Sequence, residues 1–138
     1  MKTQIKFIFA LTIILGVFSA SAFGADKLWR GSAMTADGAA KRWGSVEFDS
    51  SKFKTGDTKI RALMTSSLQK HENQFKGKSA LEIRELLGPF DGFYFTDAYP
   101  TYLIQIGKSH SEDTWQIVFL LDDDRLVKKI IIHKNCCD

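Results

Sequence analysis

The apolar residues of this chain change their spacing at Pro89, and this change limits the folds that the chain can adopt. From about Lys59 to Phe75, and again from Ser79 to Leu87, they recur every three or four residues, as on one face of a helix. After Pro89 they alternate with polar residues, which is typical of strands. The sequence therefore predicts two helices followed by a sheet.

Four strands are predicted after the helices, separated by short segments rich in turn residues. They span residues 92–96, 101–106, 114–121 and 126–133. Because short connections favour antiparallel neighbours, the strands should form a meander. Helices grouped before strands indicate an α+β domain, in which a helix–loop–helix packs on one face of a four-stranded antiparallel sheet and an extended arm precedes both.

The first 22 residues have the organisation of a secretory signal peptide. Lys2 and Lys6 precede an uncharged apolar run at residues 7–18, and Ala-Ser-Ala at residues 20–22 supplies the small residues of a cleavage site. The alternative is an uncleaved anchor helix, but a spanning helix needs about 20 apolar residues and this run is shorter. We therefore expect a periplasmic or secreted protein that has no stable membrane anchor after cleavage.

The predicted organisation is a signal peptide at residues 1–22, a loosely ordered arm at 23–44 and one α+β domain at 45–138. A chain of 138 residues leaves no room for a second core of ordinary size. Two lysines lie in the signal peptide, so its removal lowers the formal net charge from +3 to +1. So small a charge attracts phosphate backbones weakly, and we expect no nucleic-acid partner.

The string Gly77-Lys78-Ser79 has two interpretations. A phosphate-binding loop needs a preceding strand and an upstream glycine at the correct spacing, and neither is present before Gly77. A helix stop followed by a capped helix start fits better, because Ser79 and Glu82 have the spacing of a capping box.

The same segment resembles a motif of small secreted bacterial proteins. The string GKSALEIRELLGP at residues 77–89, with Met64 and Leu68 in the preceding helix and FDSSKFK at 48–54, is similar to the SmpA/OmlA (BamE) family and to the related fold of β-lactamase-inhibitor-protein repeats. The resemblance covers roughly residues 48–134. It implies a helix–loop–helix on an antiparallel sheet, a scaffold that carries unrelated binding surfaces. Members of the SmpA/OmlA family are outer-membrane lipoproteins, whereas this chain has no cysteine near the cleavage point.

No catalytic motif is visible in the sequence. His71, His110 and His133 are scattered over a predicted helix, a loop and a strand end, and no H-E-x-x-H, Cys-x-x-Cys or Gly-x-Ser-x-Gly pattern occurs. The acidic string at residues 122–124 lacks the spaced ligands and the glycine of a calcium loop, so it is interpreted as a solvated turn. We expect no enzyme activity, no cofactor and no metal site.

Cys136 and Cys137 are adjacent and are the only cysteines in the chain. In an oxidising compartment they indicate a disulfide, formed either with each other or with another chain. A soft-metal site with His133 and a terminal tail without a role are the alternatives. The geometry that would decide the pairing cannot be read from sequence.

Aromatic residues are concentrated at residues 90–102, which include every tyrosine in the chain. Strand alternation would send Phe93 and Phe95 to one face of the sheet and Tyr94 to the other. The candidates for a protein-binding face are Tyr94, Tyr99, Tyr102 and Trp115. Tyrosine suits such a face because its ring is apolar and its tip is polar. The alternative is that these tyrosines pack in the core.

Together these features predict a non-catalytic exported module, accessory or inhibitor-like, that binds another envelope or secreted protein through the exposed face of its sheet. An alternative, implied by the resemblance, is a structural factor of the cell envelope that supports outer-membrane assembly. A third hypothesis is a redox- or metal-responsive protein that acts through Cys136 and Cys137.

Overall fold

Helices precede most of the strands along the chain, as the sequence predicts. The computed structural model describes residues 32–108 and 113–135. Within them the helices are α1 (Ala36–Trp43), α2 (Ser50–Thr55), α3 (Thr58–Lys70) and α4 (Ala80–Leu87), with a 3-10 turn at Glu72–Gln74. The strands are β1 (Ala33–Met34), β2 (Thr101–Gln105), β3 (Thr114–Leu121) and β4 (Val127–Asn135). The α+β class and the four-stranded antiparallel sheet are therefore confirmed.

The sheet has the order β1-β4-β3-β2, and each strand is antiparallel to its neighbours. β2, β3 and β4 form a meander, as expected. The fourth strand is β1, which comes from before the helices and places Ala33 opposite His133 of β4. The predicted strand at residues 92–96 is wrong, because this segment turns back on itself and makes only a local bridge between Tyr94 and Thr96.

Residues 33–43 fall within the predicted arm and contribute β1 and α1 to the fold. The Thr35 side chain caps α1 by accepting a hydrogen bond from the Gly38 N–H at 3.1 Å. Ala39 is fully buried, and α1 packs against α3. At the end of α1, the Trp43 indole N–H donates to Oε1 of Gln105 at 2.8 Å, which fixes this helix to the end of β2.

α3 begins at a side-chain cap, where the Asp57 carboxylate accepts a hydrogen bond from the Ile60 N–H at 3.0 Å. Its buried face differs from the predicted apolar stripe. Ile60 and Leu63 are apolar residues at the spacing of one helix face, yet they are exposed, whereas Arg61 is only 9% exposed. At 13 residues α3 is the longest helix of the described chain, and no helix in that part is long and apolar enough to cross a membrane.

α4 begins with the predicted capping box. The Ser79 N–H donates to the Glu82 carboxylate at 2.7 Å, and the Ser79 hydroxyl accepts from the Glu82 N–H at 3.3 Å. The helix ends at Gly88, whose φ of 92° lies in the left-handed region that favours glycine. Gly77 donates its N–H to the Val127 carbonyl at 2.9 Å, which joins the connection before α4 to the start of β4. The Gly-Lys-Ser string is therefore a connection and a helix cap.

The core lies between the helices and one face of the sheet, which we call the inner face. A row of aromatic rings crosses it, with centroids 5.4 Å apart between Phe53 and Tyr102, 6.1 Å between Tyr102 and Phe119, and 5.5 Å between Phe119 and Phe75. All four side chains are buried. Because edge-to-face pairs stabilise beyond their buried area, by about 0.5–1.5 kcal/mol each, this row fixes how the helices sit on the sheet.

Two carboxylates cover backbone groups that the strands leave open at the edges of the sheet. Asp91 accepts a hydrogen bond from the Leu103 N–H of β2 at 2.9 Å. Glu72 accepts one from the Ile130 N–H of β4 at 2.8 Å, beyond the end of the short β1. An uncovered strand edge is a template for pairing with another chain, and these two contacts satisfy backbone groups at both edges of the sheet.

Candidate functional site

The structure divides the four aromatic residues predicted as a binding face between the two faces of the sheet. Tyr102 and Trp115 lie on the inner face and are buried. Tyr94 and Tyr99 are half-buried in the loop at residues 91–100, with ring centroids 5.9 Å apart. Only Tyr94 and Tyr99 are therefore brought together in one partly exposed site.

Tyr102 is part of the core. Its hydroxyl donates a hydrogen bond to the Gly88 carbonyl at 2.9 Å, just after α4. Burial raises the pKa of its phenol well above the ordinary value, outweighing the opposing effect of the nearby Arg61. The hydroxyl therefore stays protonated and acts as a structural donor between α4 and β2.

Trp115 belongs to a cluster at the opposite end of the inner face. The Arg42 guanidinium lies 5.4 Å from the ring centroids of both Trp43 and Trp115, and it pairs with the Asp113 carboxylate at 2.7 Å. The Trp115 indole N–H also donates to Asp113 at 3.2 Å. This hydrogen bond, with a smaller contribution from Arg42, lowers the pKa of the Asp113 carboxyl. Because the charges of Arg42 and Asp113 balance, this cluster offers a partner little net charge.

A cleft of ≈ 710 Å³ lies on the outer face of the sheet, between the 91–100 loop and strands β3 and β4. We call it the outer cleft. Its floor and walls are Ala33, Tyr94, Phe95, Thr96, Tyr99, Leu120, Leu121, Lys128, Lys129, Ile131 and His133. Its size falls within the usual range of ligand sites, and its composition, mostly apolar with a few polar groups, is typical of them.

The 91–100 loop is fixed to the outer face by the Gln116 side chain. The Gln116 amide donates to the Phe93 carbonyl at 2.7 Å and accepts from the Phe93 N–H at 3.3 Å, so it replaces a neighbouring strand. Gly92 allows this close approach, because a Cβ there would lie 2.6 Å from Cγ2 of Thr101. The Tyr94 ring then packs edge-to-face on His133, with centroids 4.8 Å apart. Through these contacts, a segment without regular structure forms one wall of the outer cleft.

The backbone of this wall is strained where it presents an aromatic side chain. Phe95 has a φ of 57°, in the left-handed region, and the Thr96 N–H donates to the Tyr94 carbonyl across it at 2.6 Å. For a residue other than glycine, this conformation is unfavourable by about 1–2 kcal/mol. Phe95 is nevertheless 48% exposed, and Phe93 is 55% exposed. Strain of this kind is concentrated at functional sites, where the surrounding structure maintains it.

The exposed phenylalanines and lysines of this site are not among the binding residues that the sequence predicts. The sequence favours the tyrosines, whereas Phe93 and Phe95 are the large hydrophobic residues of the loop that are exposed. Lys128 and Lys129 line the cleft from β4. The order of polar and aromatic residues gave no signal for Phe93 and Phe95, because the alternation predicted a strand. The sequence shows that Lys128 and Lys129 are adjacent, but it does not show that they face the aromatic residues of the 91–100 loop across the cleft.

The cysteine pair and the acidic turn are the other features that the sequence singles out. Cys136 and Cys137 lie outside the described residues, as does His110. Asp122 accepts hydrogen bonds from the Asp124 and Leu126 N–H groups, at 3.0 and 2.9 Å, so its carboxylate organises the turn between β3 and β4. Within residues 32–108 and 113–135, no three His, Cys, Asp or Glu side chains are grouped as metal ligands.

Comparison with known proteins finds no matching protein family, no similar curated protein and no similar solved structure.

Proposed function

We propose that this chain is a non-catalytic, exported module that binds another envelope or secreted protein through the outer face of its sheet. The contact surface consists of the 91–100 loop and the outer cleft beside it. Export is inferred from the charged start, the apolar run and the Ala-Ser-Ala site at residues 1–22. The resemblance to the SmpA/OmlA family and a disulfide at Cys136 and Cys137 belong to the same proposal.

The observation that carries this proposal is the conformation of Phe95. Its backbone is held in the left-handed region while the residue is exposed to solvent. For the unbound chain, burying the Phe95 ring would be more favourable than exposing it to water. A glycine at this position would remove the backbone strain. An aromatic residue presented at this cost fits a partner pocket, since aromatic anchors supply much of the binding energy at protein interfaces.

A photo-crosslinking experiment tests the proposal. The full-length chain carries p-benzoylphenylalanine in place of Phe95 and is irradiated in envelope extract of the cells that make it. The matched control carries the same group in place of Leu81, which is 64% exposed on α4. We expect one discrete adduct from position 95, and its loss when Phe93→Ser is added. Equal labelling from both positions, or no adduct from position 95, contradicts the proposal.

A further inference from the structure

The outer cleft has a charge as well as a shape. Lys128 and Lys129 are exposed along its β4 side, and no acidic residue of the described chain lines it. Neither lysine forms an ion pair with a described residue. Lys129 is near enough to Glu72 to help lower the pKa of that carboxyl, but the Glu72 carboxylate is already paired with Lys76 at 2.9 Å. Two positive charges therefore face the cleft with no partner in it.

The opposite wall of the cleft is aromatic and its floor is aliphatic. Tyr94, Phe95 and Tyr99 form the wall, and Leu120 and Ile131 lie on the floor formed by β3 and β4. A ligand that fills the cleft thus meets an apolar pocket on one side and two ammonium groups on the other. Its own surface must combine an apolar side chain with negative charge.

We propose that the occupant of the outer cleft is an acidic segment of a partner protein, with an apolar side chain flanked by carboxylates. The apolar side chain packs between the Tyr94 and Tyr99 rings and Ile131. The flanking carboxylates pair with Lys128 and Lys129. This inference rests on the proposed function and specifies the chemistry of its partner.

The shape of the site favours a peptide segment over an anionic membrane. A volume of ≈ 710 Å³ holds a few side chains, and the surface is concave where a bilayer is flat. Membrane binding through a basic patch needs about 4–8 clustered lysines or arginines, and the cleft has two. Another groove of the described chain, ≈ 570 Å³ between α3 and β2, is lined by Arg42 and Lys59. Asp113 balances the charge of Arg42, so Lys59 is the one cation in that groove whose charge is not balanced by an ion pair in the described chain, whereas the outer cleft has two.

Two synthetic peptides test the charge requirement. One is an acetylated peptide in which aspartates alternate with phenylalanine and leucine, and the other has lysine in place of each aspartate. Binding to the full-length chain is measured by fluorescence anisotropy, and the contact surface is mapped by ¹H–¹⁵N chemical shifts. We expect the acidic peptide to bind more weakly as salt is raised, with the shifts concentrated at Tyr94, Tyr99 and Ile131. Equal binding of both peptides, or no binding of the acidic one, overturns the inference.

A charge reversal gives the decisive control. Lys128→Glu with Lys129→Glu should weaken binding of the acidic peptide by about tenfold or more, because each lost charge pair is replaced by repulsion. Lys41→Glu with Lys59→Glu changes the net charge equally at exposed sites away from the cleft, and it should leave the affinity unchanged. An equal loss in both double variants would show a nonspecific charge effect and would overturn the inference.

The same variants separate this inference from the proposed function. If the adduct at position 95 forms normally in the Lys128→Glu/Lys129→Glu variant, the proposed binding surface is supported and the proposal of an acidic partner segment is overturned. If no adduct forms in any variant, the proposed function fails. Sedimentation with phosphatidylglycerol vesicles, or concentration-dependent self-association that Phe95→Ser abolishes, would identify a membrane or a second copy as the occupant and contradict an acidic partner segment.

Discussion

The Arg61 guanidinium of α3 lies 2.5 Å from the Asp91 carboxylate at the start of the 91–100 loop. The same carboxylate accepts the hydrogen bond from the Leu103 N–H at the edge of β2. Arg61 is also stacked near the rings of Phe53 and Tyr102, at 5.6 and 5.7 Å from their centroids. One buried cation therefore joins α3, the core and the first residue of the loop that forms the candidate site.

Replacing Arg61 by methionine should destabilise the fold although methionine keeps most of the apolar stem. The change leaves the Asp91 carboxylate without its cation and removes the ring contacts. Because the Asp91 side chain is 41% exposed, water compensates part of the loss, and we expect about 1–3 kcal/mol in the free energy of unfolding. Urea denaturation measures it.

The Asp91→Asn variant completes a double-mutant cycle. Asparagine retains an acceptor for the Leu103 N–H and loses only the charge. If the ion pair is the main link, Arg61→Met together with Asp91→Asn should cost clearly less than the sum of the two single changes. Additive losses would mean that Arg61 stabilises the fold through packing alone.

Arg61 also explains why the buried face of α3 could not be predicted from the spacing of apolar residues. The helix turns Ile60 and Leu63 toward solvent and buries Arg61, Thr65 and Leu68. An arginine can be buried here because Asp91, which is 30 residues further on, approaches it in the fold. Contacts between residues this far apart are invisible to local periodicity. By contrast, the capping box at the start of α4 was predictable, because its contacts span three residues.

Phe95→Gly should remove binding without a large loss of stability. Glycine adopts the left-handed φ freely, which offsets the lost ring contact with Tyr94 at 4.6 Å. We expect the free energy of unfolding to stay within about 1 kcal/mol of the wild-type value. The binding of the acidic peptide, or of the crosslinked partner, should fall strongly.

Phe119→Ala is the comparison for that variant. Phe119 is fully buried, so its truncation should cost about 3–5 kcal/mol. If Phe95→Gly is as destabilising as Phe119→Ala, then Phe95 is a packing residue and its exposure has no functional meaning.

Tyr102→Phe tests the assignment of this tyrosine to the core. The variant leaves the Gly88 carbonyl without its hydrogen bond from the phenol, and the site is buried, so we expect a loss of about 1–3 kcal/mol in unfolding free energy. Tyr99→Phe is the matched control. Because the Tyr99 ring is only partly buried, this change should lower the free energy of unfolding only slightly. Partner binding should be unaffected by Tyr102→Phe. Reduced partner binding with an unchanged free energy of unfolding would mean that Tyr102 belongs to the binding surface and not only to the core.

The candidate site was predictable in composition but not in arrangement. The density of aromatic residues at 90–102 pointed to the right segment, and two of its tyrosines do lie beside the outer cleft. The strand interpretation failed because Gln116, more than 20 residues away, takes the hydrogen bonds of Phe93 that strand pairing would have used. Gln116 belongs to β3, and the residues around Phe93 give no indication that its side chain will form these hydrogen bonds.

Acid should weaken the fold partly through Glu72, whose carboxylate covers the edge of β4. Burial raises the pKa of Glu72, but the hydrogen bond from the Ile130 N–H and the contact with Lys76 outweigh it, so the pKa lies below its ordinary value of 4.5. A carboxyl whose pKa is lower in the folded state stabilises the fold fully above the unfolded pKa. This stabilisation is lost as the pH falls through the lower folded value.

Glu72→Gln isolates this contribution from those of the other carboxylates. The amide still offers an oxygen to Ile130, but it has no charge for that hydrogen bond or for Lys76. We expect the variant to be less stable than the wild type by about 1 kcal/mol near neutral pH. The difference should shrink as the pH falls below about 4.5, because the wild-type carboxylate becomes neutral as well. Urea denaturation of both proteins across this range measures the difference. A gap that stays constant with pH would mean that the edge of β4 is stabilised by the shape of Glu72 and not by its charge.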